Sequence, residues 1–461
     1  MNASFVLCLA GAAIGVGGCG TASPASSARV PAEASTPSTP EGDAGDGCTF
    51  GGFVGCDDDG SIGDSPPAPA VPTLCAHTAA DDDAVASVVG SEIAFAIAAY
   101  RPIAASAPPG SNLVFSPSSL TTALEMVSAG AAGNTLAQLE AALSSTIAPE
   151  TFASRDALLA CEDNGVAVNG QTLATASAVW AQAGEAFVPK FTATLEGSFG
   201  APLQQADFAR DPAGAAAAID QWASMKTGGE IPALLAAGDV AATTKLAVVS
   251  ALDFHGGWAV PFPSRATSPA AFTLPSGETV MVPTMHGSIS GLSRQSTDAA
   301  LYEIPYDGYE LVMDIIVPNS FADYEANLSP GALVALFPEA TDAEGGTNID
   351  ASIPKLAFAT HVDLAPALAS LGVTDAFDPT LADFSAVDGA RDLVLGSVVA
   401  GSTLAVDEQG TTATATASAT SNEQLLSTLT ADHPFLFLVR DAFNGHVLFF
   451  GRVEDPRQAG P

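Results

Sequence analysis

From residue 411 to residue 420 the chain contains only threonine, alanine and serine, and past Thr411 hydroxyl and methyl side chains alternate strictly. On extended backbone successive side chains point to opposite faces. The methyls of Ala413, Ala415, Ala417 and Ala419 therefore share one face, and the hydroxyls share the other. Threonine favours strands, and alanine is small enough to slide over a packed core. No proline or charge interrupts the run before Glu423. Composition alone describes a flexible, low-complexity linker. Position argues for something else. The apolar stretch 404–406 precedes the run, and the dense, strand-like HPFLFLVRDAFNGHVLFFGRV follows it. A polar loop of this length inside a compact domain is uncommon and usually functional. The run reads as a strand waiting for a place in a sheet.

Three stretches in order then carry a family resemblance. Glu408-Gln409-Gly410-Thr411 followed by small residues resembles the hinge of a serpin's exposed loop. His433-Pro434-Phe435 and Gly451-Arg452-Val453-Glu454-Asp455-Pro456 resemble the closing strands of that family. Further segments keep the same order: NLVFSPSSLTTALEMVSAGAAGNTLAQLEAAL at 112–143, ATASAVWAQ with Trp180, IDQWASMKTGGEI with Trp222, and KLAVVSALDFHGGWAVPF with Trp258. EIPYDGYELVMDIIVPN, IPKLAF and LASLGVTDAF continue it. The resemblance covers about residues 85–457 and explains why so long a stretch has no internal linker. The tryptophans need no role beyond core packing.

The resemblance implies an α+β fold with three β-sheets, about eight or nine helices and an exposed reactive-centre loop. It implies an irreversible suicide-substrate inhibitor of serine proteases and no catalytic group in this chain. A protease cuts the loop and forms an acyl-enzyme. The cut loop enters the main sheet as a new strand and carries the protease with it. About 14 residues at roughly 3.3 Å each give a displacement of about 45 Å. Thr411, Ala413, Ala415, Ala417 and Ala419 would then face the core, where bulk or charge would resist entry. Gly410 frees the hinge to turn, and Glu408 would pair with Lys355. Counting from Gly410 places the reactive bond between Gln424 and Leu425; counting back from Pro434 gives Glu423 and Gln424. Glu423, Gln424, Leu425 and Leu426 are thus candidates for the specificity position, with the bond between Gln424 and Leu425 taken as the reactive one. Leucine suits a chymotrypsin- or elastase-like pocket, and glutamate a basic one.

Family positions under the sheet, the shutter, fall at Ser116, Ser119, Ser250 and Ala400. Asn is common in the family where this chain has Ser177, Asp220 and Ser250, and His where it has Ala400. The missing amides and imidazole would hydrogen-bond between central strands, so their absence bears on how well the sheet traps. The other reading of the same fold is a non-inhibitory binding protein or a protease substrate.

Composition narrows the partners. The formal charge is −37, from 51 acidic and 14 basic residues among 461. Such a surface repels phosphate backbones and anionic bilayers, and it offers no basic patch for a polyanionic activator. A chain 48% hydrophobic and 14% charged has ample material for a large core. An enzyme is the class least supported. The sequence has no His-Glu-x-x-His, Gly-x-Ser-x-Gly or P-loop pattern. The six histidines are scattered, and no metal or cofactor is expected. The partner is a target serine protease, or a cysteine protease, which also forms an acyl intermediate. The protein is expected to act as a monomer.

Ahead of the domain, residues 1–19 resemble a lipoprotein-type signal peptide. The apolar stretch 5–16 is too short to span a bilayer. Val16-Gly17-Gly18-Cys19 resembles a bacterial lipobox, which makes Cys19 the lipidation site and the only membrane contact an acyl anchor. No Lys or Arg precedes Arg29, and an ordinary cleaved signal with Cys19 as a bystander is the alternative. Residues 20–84 have the Pro-, Ser- and Asp-rich composition of a disordered linker, which leaves 85–461 as the serpin domain. The location implied is extracytoplasmic, at the cell envelope or surface. There Cys48, Cys56, Cys75 and Cys161 allow three disulfide pairings. Asp57-Asp58-Asp59-Gly60 fails the register of a calcium loop. Downstream, a helical pattern spans 84–100, a buried strand 112–115, and Ser116-Pro117-Ser118-Ser119 opens a helix.

Overall fold

The computed structural model describes residues 79–144, 171–338, 347–411 and 427–458. The chain opens with helix α1 (Ala79–Ser106), β1 (Leu113–Phe115), α2 (Pro117–Ser128) and α3 (Gly133–Ala142). Next come β2 (Thr172–Gln182), α4 (Pro189–Phe199), β3 (Gln204–Ala206), α5 (Pro212–Lys226) and β4 (Leu246–Gly257). Four strands follow: β5 (Ser268–Thr273), β6 (Thr279–Gln295), β7 (Ala299–Pro305) and β8 (Leu311–Pro318). Short helices α6 (Phe321–Asn327) and α7 (Pro330–Val334) precede β9 (Thr347–Pro354) and β10 (Leu356–Asp363). Helices α8 (Ala365–Ser370) and α9 (Ser385–Asp388) lead to β11 (Leu395–Val406) and the two-residue β12 (Gly410–Thr411). The chain closes with β13 (Ser427–Thr430), β14 (Phe435–Asp441) and β15 (Val447–Val453).

The fold is α+β, with nine α-helices among the described residues. One sheet has six strands in the order β10-β11-β12-β4-β2-β3, with β11 also paired directly to β4. The other has nine, running β1-β15-β14-β8-β7-β6-β9-β13, with β5 on β6. The three sheets expected are present among the described residues, the nine-stranded path being two sheets that share β6. Its first part pairs with β5 and β9, and residues 292–295 pair with β7. The changeover is at Gly291, where a Cβ would lie 2.2 Å from the Glu303 carbonyl oxygen. Only glycine lets the two backbones come that close.

β4 explains why LAVVSALDF lacks the alternation of a half-exposed strand. Leu246 and Val248 enter one core with α2 beneath the sheet, while Ala247, Val249 and Ala251 enter another with α5 on the opposite face. A strand covered on both sides reads as a continuous apolar run. Local signals place the helices. Ser116 Oγ accepts the Ser119 N–H at 3.1 Å and Pro117 occupies the first turn of α2. Asp211 caps α5 through the Gly214 N–H at 2.9 Å.

Helix α1 extends past the 84–100 run at both ends, so residues 79–84, read as the end of a disordered linker, belong to the helix; it also carries Pro102 inside it. The last turn holds because Ile103 is buried in the core and Arg101 Nη2 donates to the Leu328 carbonyl at 2.7 Å. Packing outweighs the bond proline removes.

Candidate functional site: a parallel seam and its hinge

β4 and β11 are parallel neighbours, with Ala400 opposite Ser250. A chain leaving the end of β11 and turning back runs antiparallel to both of them. Residues 407–410 make that turn. The Asp407 N–H donates to the Gly410 carbonyl at 2.9 Å, and Asp407 Oδ1 accepts the Gln409 N–H at 2.8 Å. Gly410 has φ +150°, and a Cβ there would meet the Gly256 oxygen at 2.0 Å. This is a position that glycine alone fits. β12 then pairs with both strands of the seam, Gly410 with Gly257 and Thr411 with Gly256 on β4, and Thr411 with Val406 on β11.

The turn is held from several sides. The Trp258 N–H donates to the Gln409 carbonyl and the Phe262 N–H to that of Glu408, each at 2.8 Å. The Trp258 indole N–H donates to the Asp407 carbonyl at 3.0 Å. Trp258 therefore does more than pack. Thr411 is buried, and its hydroxyl lies 2.7 Å from that of Tyr306. Tyr306 stacks on Trp258 with ring centroids 4.7 Å apart. Burial pushes the Tyr306 phenol well up, so it keeps its proton for that hydrogen bond.

Lys355 and Glu408 meet as the resemblance implied, Nζ to Oε2 at 2.7 Å, and Thr267 Oγ1 donates to Glu408 Oε1 at 2.7 Å. Burial opposes the Glu408 charge, but hydrogen bonds from Lys355 and Thr267 outweigh it and hold the carboxyl below its ordinary 4.5. A carboxyl depressed on folding stabilises above its unfolded value and loses that contribution as pH falls through the folded one. The tie should therefore be complete at neutral pH and fail progressively below about 4.5. Lys355 is well exposed, so the pair contributes about 1 kcal/mol or less. Glu408→Ala should hardly move the melting temperature while speeding hydrogen exchange at the Thr411 amide. Unchanged exchange would mean that the pair does not hold the hinge.

Beneath the seam, Ser177, Ser250 and Ala400 lie in one row across β2, β4 and β11. Ser177 Oγ lies 3.4 Å from Ser250 Oγ and donates to the Ser119 carbonyl at 3.3 Å. Ser116 caps α2 immediately below. The shutter positions are thus brought together, joined by long contacts between short side chains. Asp220 sits elsewhere. Its Oδ1 accepts the N–H groups of Leu234 and Leu235, each at 2.9 Å, fastening the 227–245 segment over the front of the sheet. Ala413, Ala415, Ala417, Ala419, Glu423, Gln424, Leu425, Leu426 and the five cysteines Cys19, Cys48, Cys56, Cys75 and Cys161 lie outside the described residues. Thr267, Tyr306 and Phe262 carried no local signal of their part in the hinge, since each reaches it from more than 100 residues away.

A six-stranded sheet whose central pair is parallel, with the next segment of chain wedged into the top of that pair, defines a protein built around strand entry. Residues 91–456 match the family model described as Serpin (serine protease inhibitor), and the chain belongs to that non-enzymatic family. It is 33% identical over 363 residues to the leukocyte elastase inhibitor of Bos taurus, covering 76% of this chain and 94% of that one. To leukocyte elastase inhibitor A of Mus musculus it is 33% identical over 377 residues, covering 78% and 97%. Among solved structures it is similar to a serpin of Arabidopsis in the native stressed conformation. That match has TM-score 0.71 and 26% identity, over 81% of this chain and 99% of that one.

Proposed function

We propose that the chain is an irreversible suicide-substrate inhibitor of serine proteases, with the segment after Thr411 as its bait. The observation that carries this reading is β12, whose two residues are already paired between β4 and β11. A protease serine attacks the carbonyl of Gln424, its Oγ becomes the ester oxygen, and the departing amine is the new N-terminus at Leu425. If the cut falls one residue earlier, Glu423 is the acyl residue. Ala413, Ala415, Ala417 and Ala419 continue the parity of the buried Thr411 and follow it between the strands. Leu425 and Leu426 suit an elastase- or chymotrypsin-like pocket, in keeping with relatives named as leukocyte elastase inhibitors. Insertion of the cut loop takes the native fold to a lower-energy arrangement, and that difference supplies the energy.

The domain acts as a monomer without a cofactor. Residues 1–19 direct it out of the cytoplasm, Cys19 is lipidated, and residues 20–78 space the domain from an envelope surface in the manner of a bacterial lipoprotein. A second reading, a substrate or binding protein of the same fold, draws on the shutter. Ser177 and Ser250 meet at 3.4 Å, with Ala400 completing the row. Side chains this short guide the opening strands less firmly than amides and an imidazole.

Incubating the protein with a panel of serine proteases should yield a complex that survives denaturing electrophoresis, together with a released peptide beginning at Leu425. Clean cleavage near Gln424 without complex would favour the second reading. Complex formation with a cut elsewhere would move the reactive bond.

A further inference from the structure

The front of the sheet carries a group of side chains that the hinge does not use. Asp253 and His255 are two residues apart on β4 and so share a face, the same face on which Ala251 meets α5. The segment 227–245, which links α5 to β4, crosses this face as a strap. Its Ile231 and Leu234 are buried there, and a Cβ on Gly401 of β11 would lie 2.6 Å from Leu234 Cδ1. The strap thus passes over the seam itself. On the far side Asp239 holds His361 of β10, Oδ2 to Nε2 at 2.7 Å. On the near side Glu230 of the strap reaches His255, Oε1 to Nε2 at 3.9 Å, while Asp253 Oδ2 lies 2.7 Å from the same nitrogen. One atom from each of Glu230, Asp253 and His255 falls within 4.8 Å of the others.

We infer that Glu230, Asp253 and His255 form a binding site for a divalent first-row transition cation such as zinc, and that the bound cation clamps the strap to β4. An imidazole with two carboxylates is a donor set zinc accepts, leaving a fourth position for water. Metal–ligand bonds of about 2.0–2.2 Å in a tetrahedron place ligand atoms about 3.3 Å apart. His255 Nε2 stands 2.7 and 3.9 Å from the two carboxylate oxygens and all three atoms lie within 4.8 Å of one another, so side-chain rotations bring them to that spacing. Asp253 is buried. A dication offsets the cost of that buried charge. The other Asp253 oxygen accepts Thr403 Oγ1 of β11 at 3.2 Å, an outer contact that orients the carboxylate. That same contact crosses the seam. A cation here ties the strap to β4, and through Asp253 to β11, where an entering strand must part them.

The clamp rests on the proposed strand insertion; the site does not. Calorimetric titration of the full chain with zinc chloride should show one ion bound per chain with a dissociation constant below about 0.1 mM. Glu230→Gln, on the half-exposed strap, should weaken it at least about tenfold, and His255→Ala more. No heat up to about 1 mM zinc, or unaltered affinity in both variants, would overturn the site. Zinc should also slow the gain in heat resistance that follows loop cleavage, in the wild type and not in Glu230→Gln. Binding without that slowing would overturn the clamp and leave the site. Loop cleavage with no gain in heat resistance, zinc or not, would instead count against insertion itself.

Discussion

Thr411→Arg should abolish the covalent protease complex while leaving the loop cleavable. Thr411 is 2% exposed, and its hydroxyl already meets Tyr306 between β4 and β11. A guanidinium there must either be desolvated or hold the hinge out of the seam. Burying an uncompensated charge costs several kcal/mol. At about 1.4 kcal/mol per tenfold in rate, insertion slows by at least about 100-fold. Deacylation then wins the competition, and the product is a cut inhibitor with an active protease. Ala415→Arg should act the same way two strand periods further on, without disturbing the Tyr306 contact. Denaturing electrophoresis reads both. Undiminished complex in either variant would mean that the loop does not enter face-down between these strands. Thr411→Ala separates the hydroxyl from bulk, and should retain most of the complex.

How much of this could be read from the chain depends on how far apart in sequence the participants lie. The both-sided burial of β4 wrote itself into LAVVSALDF, and the caps of α2 and α5 are local. The pairing of Glu408 with Lys355, 53 residues apart, was legible only because the family pattern supplies both ends. Tyr306 and Thr267 reach the hinge from 105 and 141 residues away. Nothing in their neighbourhoods marks them, because a tertiary contact leaves no periodicity. Asp220 shows the converse. The resemblance placed it among positions that differ from the family, yet its carboxylate fastens the strap through two backbone N–H groups. Its meaning lay in the segment 14 residues downstream. The histidines looked scattered for the same reason. Strand alternation puts Asp253 and His255 on one face, but only the path of the strap brings Glu230 to them.

Arg440→Met should cost about 3–5 kcal/mol of stability. The guanidinium is 1% exposed. It donates from Nε to Asp314 Oδ2 at 2.6 Å and from Nη2 to Glu303 Oε2 at 2.5 Å, and it lies 4.4 Å from the centre of the Phe337 ring. Glu303 and Asp314 are cross-strand neighbours on β7 and β8, so two carboxylates face one cation. Burial pushes the Asp314 carboxyl up, and Arg440 is what opposes it. Methionine fills much of the volume but leaves both carboxylates without the guanidinium. They must then take up protons or unfold the strands around them. The expected loss is therefore electrostatic, and a second change can separate it from packing. Asp314→Asn added to Arg440→Met should recover part of it, since the buried negative charge falls by one. Denaturant midpoints of the wild type and both variants measure this. Equal midpoints for Arg440→Met and the wild type would mean that the attraction of Arg440 to the two carboxylates only balances its own desolvation. A double variant no better than Arg440→Met would assign the loss to the Phe337 contact and the hydrogen bond from Nη1 to the Asp441 carbonyl.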